Sequence, residues 1–131
     1  MNKNELLFGI QTDLEITIEN IDSKIYQVPG LHSKYLRLFF NTKTKLNKKQ
    51  KELNILYKKI YYHIKDEANE IMNQKEIIFN ILGNEEYAQL NLEVETLIDL
   101  VDILDRTVKK VNTLSFDIKN IIAFNQYQSG M

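Results

Sequence analysis

The chain has 131 residues, no cysteine, no tryptophan, one proline and four glycines, with 44% hydrophobic and 27% charged residues. That balance excludes a disordered chain and a disulfide scaffold, and no apolar run approaches the roughly 20 residues of a membrane-crossing helix. So few breakers in a chain of one-domain length point to long helices, and the lack of thiols is compatible with a reducing, cytoplasmic setting.

Met1 to Glu5 lacks the basic-then-apolar build of a signal peptide. Leu6, Leu7 and Ile10 share one side of a short amphipathic helix over residues 2–10. Leu14, Ile16 and Ile18 alternate with Glu15, Thr17 and Glu19, which predicts a small β element over 14–18. Val28-Pro29-Gly30 then punctuates the chain, and proline suits the first turn of a helix, so a long helix is expected to start there.

From residue 31 to about residue 70 nothing interrupts that helix. Leu36, Phe39, Leu46, Leu53, Tyr57, Ile60 and Ile64 recur at steps of three and four, with Lys43 and Gln50 breaking the seam twice. The formal net charge of −1 conceals a segregation along the same stretch. Lys34, Arg37, Lys43, Lys45, Lys48, Lys49, Lys51, Lys58, Lys59 and Lys65 face Glu52 as the only acid, which leaves this segment at +9 and the remainder at −10. At roughly 100° per residue most of these cations fall opposite the apolar seam, together with Phe40 and Tyr62, whereas Tyr35 and Tyr57 fall with it. A cationic face with interleaved aromatics suits phosphates and unpaired bases; the plain alternative is a solvated helix face.

Ile77-Ile78-Phe79-Asn80-Ile81-Leu82, Gly83-Asn84 and the alternation at Leu90-Asn91-Leu92 fit either a second small β element over 77–92 or a helix–loop connection. The C-terminal segment is a heptad: Val94, Leu97, Val101, Leu104, Val108, Val111, Ser115, Ile118 and Ile122, with Ser115 its only polar member. Ile98, Leu100, Ile103, Leu114 and Ile121 widen that stripe, so another helix of this chain or of a second subunit must cover it, and self-association is the economical answer.

No catalytic constellation assembles, and the chain is expected not to be an enzyme and to need no cofactor or metal. His32 and His63 lie about nine helical turns apart, no glycine-rich phosphate loop exists, and Asp99, Asp102 and Asp105 fit charges flanking a heptad seam.

Three stretches in order, His32-Ser33-Lys34-Tyr35-Leu36, Leu56-Tyr57-Lys58-Lys59-Ile60-Tyr61-Tyr62 and Ser115-Phe116-Asp117-Ile118-Lys119-Asn120-Ile121, resemble the UvsY recombination mediators of T-even bacteriophages, as does the tail Asn125-Gln126-Tyr127-Gln128-Ser129-Gly130. The resemblance does not extend to the region between His63 and Glu93. It implies a non-catalytic ring, six or seven subunits by family likeness, that binds single-stranded DNA in the cytoplasm of an infected bacterial host. There it would help a RecA-like recombinase replace the single-stranded-DNA-binding protein in recombination, replication and repair. The family's Leu-Lys-Ala-Arg-Leu motif corresponds to Leu56-Tyr57-Lys58-Lys59-Ile60, with Lys59 at the arginine position and Tyr57 at that of the first basic residue.

These readings together give a mainly α, helical hairpin-like protomer forming one elongated domain over 1–131. Residues 1–28 form an N-terminal segment, 29–70 the basic DNA-binding helix, 71–92 a connection and 93–124 the oligomerisation helix. DNA contacts are expected from Lys34, Arg37, Phe40, Lys45, Lys48, Lys51, Lys58, Lys59 and Tyr62, and subunit contacts from Val94, Leu97, Val101, Leu104, Val108, Val111, Ile118 and Ile122. The alternatives are a coiled-coil adaptor whose basic face only solubilises it, and a basic helix that binds an acidic protein.

Overall fold

The computed structural model describes residues 1–67 and 72–130. It contains four helices, α1 (Lys3–Leu14), α2 (Ile21–Glu67), α3 (Gln74–Leu82) and α4 (Glu85–Gln128), and no strand among the described residues. Asparagines set three of the starts by offering a side-chain oxygen to an otherwise unpaired helical N–H. The Asn2 Oδ1 accepts from the Glu5 N–H at 2.7 Å, Asn73 from Glu76 at 2.9 Å and Asn84 from Tyr87 at 3.0 Å.

Both β expectations are overturned. Leu14 is the last residue of α1, and the Thr17 and Asn20 backbone N–H groups donate to each other's side-chain oxygens at 2.8 and 3.2 Å. Local side chains thus take the polar groups that a strand would need to pair, and Ile18 is 89% exposed instead of lying on a half-buried face. Residues 77–92 form the other option, a helix–turn–helix. Gly83 closes α3 by donating to the Phe79 carbonyl at 3.0 Å, and Asn84 opens α4 at once.

The long helix also starts earlier than Pro29. The Asn20 carbonyl accepts the Lys24 N–H at 2.8 Å, which begins α2 at Ile21 and leaves Pro29 inside it. An interior proline forfeits one backbone bond and costs about 3 kcal/mol. Val28 and Lys24 are both buried on this first stretch, and that packing offsets the loss.

The chain divides into two compact units, residues 1–40 with 100–130, and residues 41–67 with 72–99. In the first unit Leu6, Val28 and Tyr35 are buried from the N-terminal side and Leu100, Leu104, Val111, Leu114 and Ile118 from α4. Thr107, also buried, donates its hydroxyl to the Ile103 carbonyl at 2.7 Å, so its polar atom is satisfied within the helix. In the second unit Leu46, Leu56, Ile77, Ile81 and Val94 are buried. There Tyr57 meets Tyr87 edge-on at 6.1 Å and Lys49 meets Glu93 at 3.3 Å, so a later residue of α2 faces an earlier one of α4 and the two run antiparallel.

The α2 seam is turned relative to the pattern read from apolar positions. Tyr35, Thr42 and Leu56 are buried with Leu46, while Lys43 and Gln50 are exposed. The column holding Lys43 and Gln50 is replaced by its neighbour, Tyr35, Thr42, Lys49 and Leu56, on the other side of Phe39, Leu46, Leu53 and Ile60. Both apparent breaks in the seam therefore point to solvent.

Candidate nucleic-acid interface

Because α2 turns its seam away, its outer face carries the charge. Lys45, Lys48, Lys51, Lys58, Lys59 and Tyr62 are all exposed in the second unit, over roughly 26 Å of helix at 1.5 Å per residue. None of the five lysines has an ion pair among the described residues. Tyr62 is 59% exposed, its ring set edge-on to Tyr61 at 5.4 Å. In the first unit Lys34, Arg37 and Phe40 are exposed as well, with Phe40 against Phe39 at 5.3 Å.

Three basic residues are committed elsewhere. Lys34 donates to the Asp13 carboxylate at 2.7 Å, where Tyr35 also donates its hydroxyl at 2.6 Å. Lys24 reaches the Asp13 backbone carbonyl at 2.9 Å, a cation at the C-terminal end of α1. Burial pushes the Asp13 carboxyl up, but hydrogen bonds from Lys34 and Tyr35 and the charges of Lys34 and Lys24 outweigh it and hold the group below the usual carboxylate range. Burial, then the bond to Asp13, raises the Tyr35 phenol well above the ordinary tyrosine range. Lys34 is thus a clasp for α1 as well as a surface cation. Lys49, between Glu93 at 3.3 Å and Glu52 at 3.4 Å, has its ammonium pKa raised by the bond to Glu93 and then by Glu52.

The heptad of α4 divides by burial. Val94, Leu104, Val111 and Ile118 are buried within the single chain, the last three completely. Leu97, Val101, Val108 and Ile122 remain half-buried. Leu100, Thr107 and Leu114, a neighbouring column, are buried more deeply than these four, and Thr107 gives no apolar signal in the sequence because a hydroxyl reads as polar. Of the acidic positions, Asp102 pairs with Arg106 at 3.2 Å and Asp105 with Lys109 at 3.0 Å, each one helical turn away. His63 lies beside Glu67 at 3.4 Å, and no group of three metal-ligating side chains occurs among the described residues. Nor is any described helix long and apolar enough to cross a membrane.

No curated protein matches the chain. A solved structure does, the crystal structure of the bacteriophage T4 recombination mediator protein UvsY, at a TM-score of 0.83 and 15% identity over 98% of each chain. At that identity the likeness establishes the fold. The family model described as "Recombination, repair and ssDNA binding protein UvsY" matches residues 9–131, nearly the whole sequence. With a similar helical fold and a family match of that extent, the chain belongs to the UvsY family.

Proposed function

We propose that this protein is a recombination mediator that binds single-stranded DNA along the outer face of α2 and acts as a closed homo-oligomer in the host cytoplasm. The observation that carries the reading is the row Lys45, Lys48, Lys51, Lys58 and Lys59, exposed and without ion pairs among the described residues, on a member of the UvsY family. Charge without base-reading geometry binds phosphates regardless of sequence, which suits a protein that must act anywhere on an exposed strand. Residues 29–70 are the DNA-binding segment, with Arg37 and Phe40 as further contacts, and residues 93–124 the oligomerising one. The half-buried Leu97, Val101, Val108 and Ile122 offer the apolar surface through which copies would associate. Repetition of the lysine row around a ring raises avidity without a new kind of contact. On the bound strand the protein would favour a RecA-like recombinase over the single-stranded-DNA-binding protein.

The test is a mobility shift with oligo-dT at low and moderate salt, followed by strand-exchange assays in which recombinase is challenged with the single-stranded-DNA-binding protein. Tight, salt-sensitive binding and faster recombinase loading are expected. Absence of binding at low salt would leave the lysine row as a solubilising surface and favour an adaptor.

A further inference from the structure

Within the second unit, Asn41, Thr44, Lys48, Lys51, Ile55, Lys58, Tyr62 and Lys65 follow one another at steps of three and four, and all are exposed. They form two adjacent columns. One holds Thr44, Lys51, Lys58 and Lys65; the other holds Asn41, Lys48, Ile55 and Tyr62. Ile55 is out of place there: a large aliphatic side chain, 67% exposed, in the middle of the most cationic face of the molecule. Tyr62 lies one heptad further, about 10 Å along the axis at 1.5 Å per residue. Between them lie Lys58 and Lys59, three and four residues after Ile55 and four and three before Tyr62, so both lysines neighbour both apolar groups on the helix surface.

We infer that Ile55 and Tyr62 are the base contacts of this face, and that a strand runs along the α2 axis with its phosphates on Lys58 and Lys59 and its bases laid against these two side chains. This rests on the reading of the lysine row as a single-strand site. A phosphate held between the two lysines brings its flanking nucleotides over an apolar surface that is otherwise left in water, and every base offers a flat apolar face. The edge-on contact with Tyr61 at 5.4 Å braces the Tyr62 ring, so a base settling on it gives up less side-chain freedom. In a duplex the bases are stacked on one another and reach neither side chain, so Ile55 and Tyr62 set the preference for single strands while the lysines set overall affinity.

The deciding measurement compares oligo-dT with a strand of equal length made of abasic sites, which keeps every phosphate and removes every base. Full-length wild-type protein should bind oligo-dT at least about tenfold more tightly than the abasic strand, since stacking on one aromatic residue has roughly that effect. Ile55→Ala with Tyr62→Ala should bind oligo-dT as weakly as the abasic strand and leave the abasic affinity unchanged, and Tyr62→Phe should retain the wild-type difference. Both positions are exposed, and unchanged helical circular dichroism checks that the variant folds. Lys58→Ala with Lys59→Ala should lower both affinities together. If the Ile55–Tyr62 variant keeps the full oligo-dT advantage, the base-contact inference fails while the single-strand site stands. If the lysine variant binds both strands like wild type, the site itself lies elsewhere.

Discussion

The Tyr35 hydroxyl donates to the Asp13 carboxylate at 2.6 Å and ties the end of α1 to the first stretch of α2. Tyr35 is 1% exposed, so this hydroxyl has no water to turn to if Asp13 is removed. Asp13→Ala should therefore cost about 1–3 kcal/mol, the penalty of an orphaned buried polar group, and Tyr35→Phe about 0.5–1.5 kcal/mol. Urea unfolding with an unchanged m-value checks both.

The same clasp sets two pH limits. The Asp13 carboxyl is depressed, so its stabilisation is present above its unfolded value of about 3.9 and is lost as pH falls through the lower folded value. The Tyr35 phenol is raised, so its contribution is full below about pH 10 and declines as pH rises beyond that. Thermal melts across the pH range should show the acid limb flattened in Asp13→Asn and the alkaline limb flattened in Tyr35→Phe. Unchanged limbs in both variants would show that the clasp contributes nothing to the pH profile.

Burial separates the α4 heptad into two kinds of position. Leu104→Asp places a charge where no surface remains and should unfold the protomer, at a cost above about 4 kcal/mol. Val108→Asp, at a half-buried position of the same seam, should leave the helix content near wild type and shift the protein toward smaller species. Circular dichroism beside multi-angle light scattering distinguishes the two; equal behaviour of both variants would remove the distinction.

Lys58→Ala with Lys59→Ala removes two exposed cations that have no ion pair among the described residues. On the proposed single-strand site, log K should then fall with log salt less steeply, by roughly 0.7 for each phosphate no longer neutralised, with the mass read by light scattering unchanged from wild type. Lys49→Ala, in contrast, should weaken the antiparallel pairing with Glu93 and change DNA affinity little. A salt titration of both variants on oligo-dT reads the difference.

Long helices, the outer lysine face and the family itself are legible in the sequence, because breakers are scarce and cations repeat at helical spacing. The seam of α2 is not. Its inward column contains the buried Thr42, a small polar residue, and the half-buried Lys49, paired to Glu93, so counting apolar residues favours the neighbouring column with Lys43 and Gln50. The β patterns, a short alternation over 14–19 and an apolar run over 77–82 with an alternation at 90–92, are outweighed by Asn20, Asn73 and Asn84, whose side chains or carbonyls begin the helices found there. No local pattern announces the Asp13–Tyr35 bond, which exists only once α1 and α2 are packed.

Pro29 inside α2 has a kinetic consequence. Having no N–H, it leaves the Ile25 carbonyl without its helical donor, so the backbone ladder lacks a bond between Ile25 and Pro29, ahead of Lys34, the first exposed cation of α2. Residues 21–28 keep helical bonds of their own, begun by the Lys24 N–H on the Asn20 carbonyl at 2.8 Å, but are joined to the rest of α2 by one bond fewer and should open ahead of it. Their amides should exchange with deuterium faster than those after Gly30, where the ladder runs unbroken to Glu67. The helix that presents the lysines can in this way keep its spacing while its leading turns open and close.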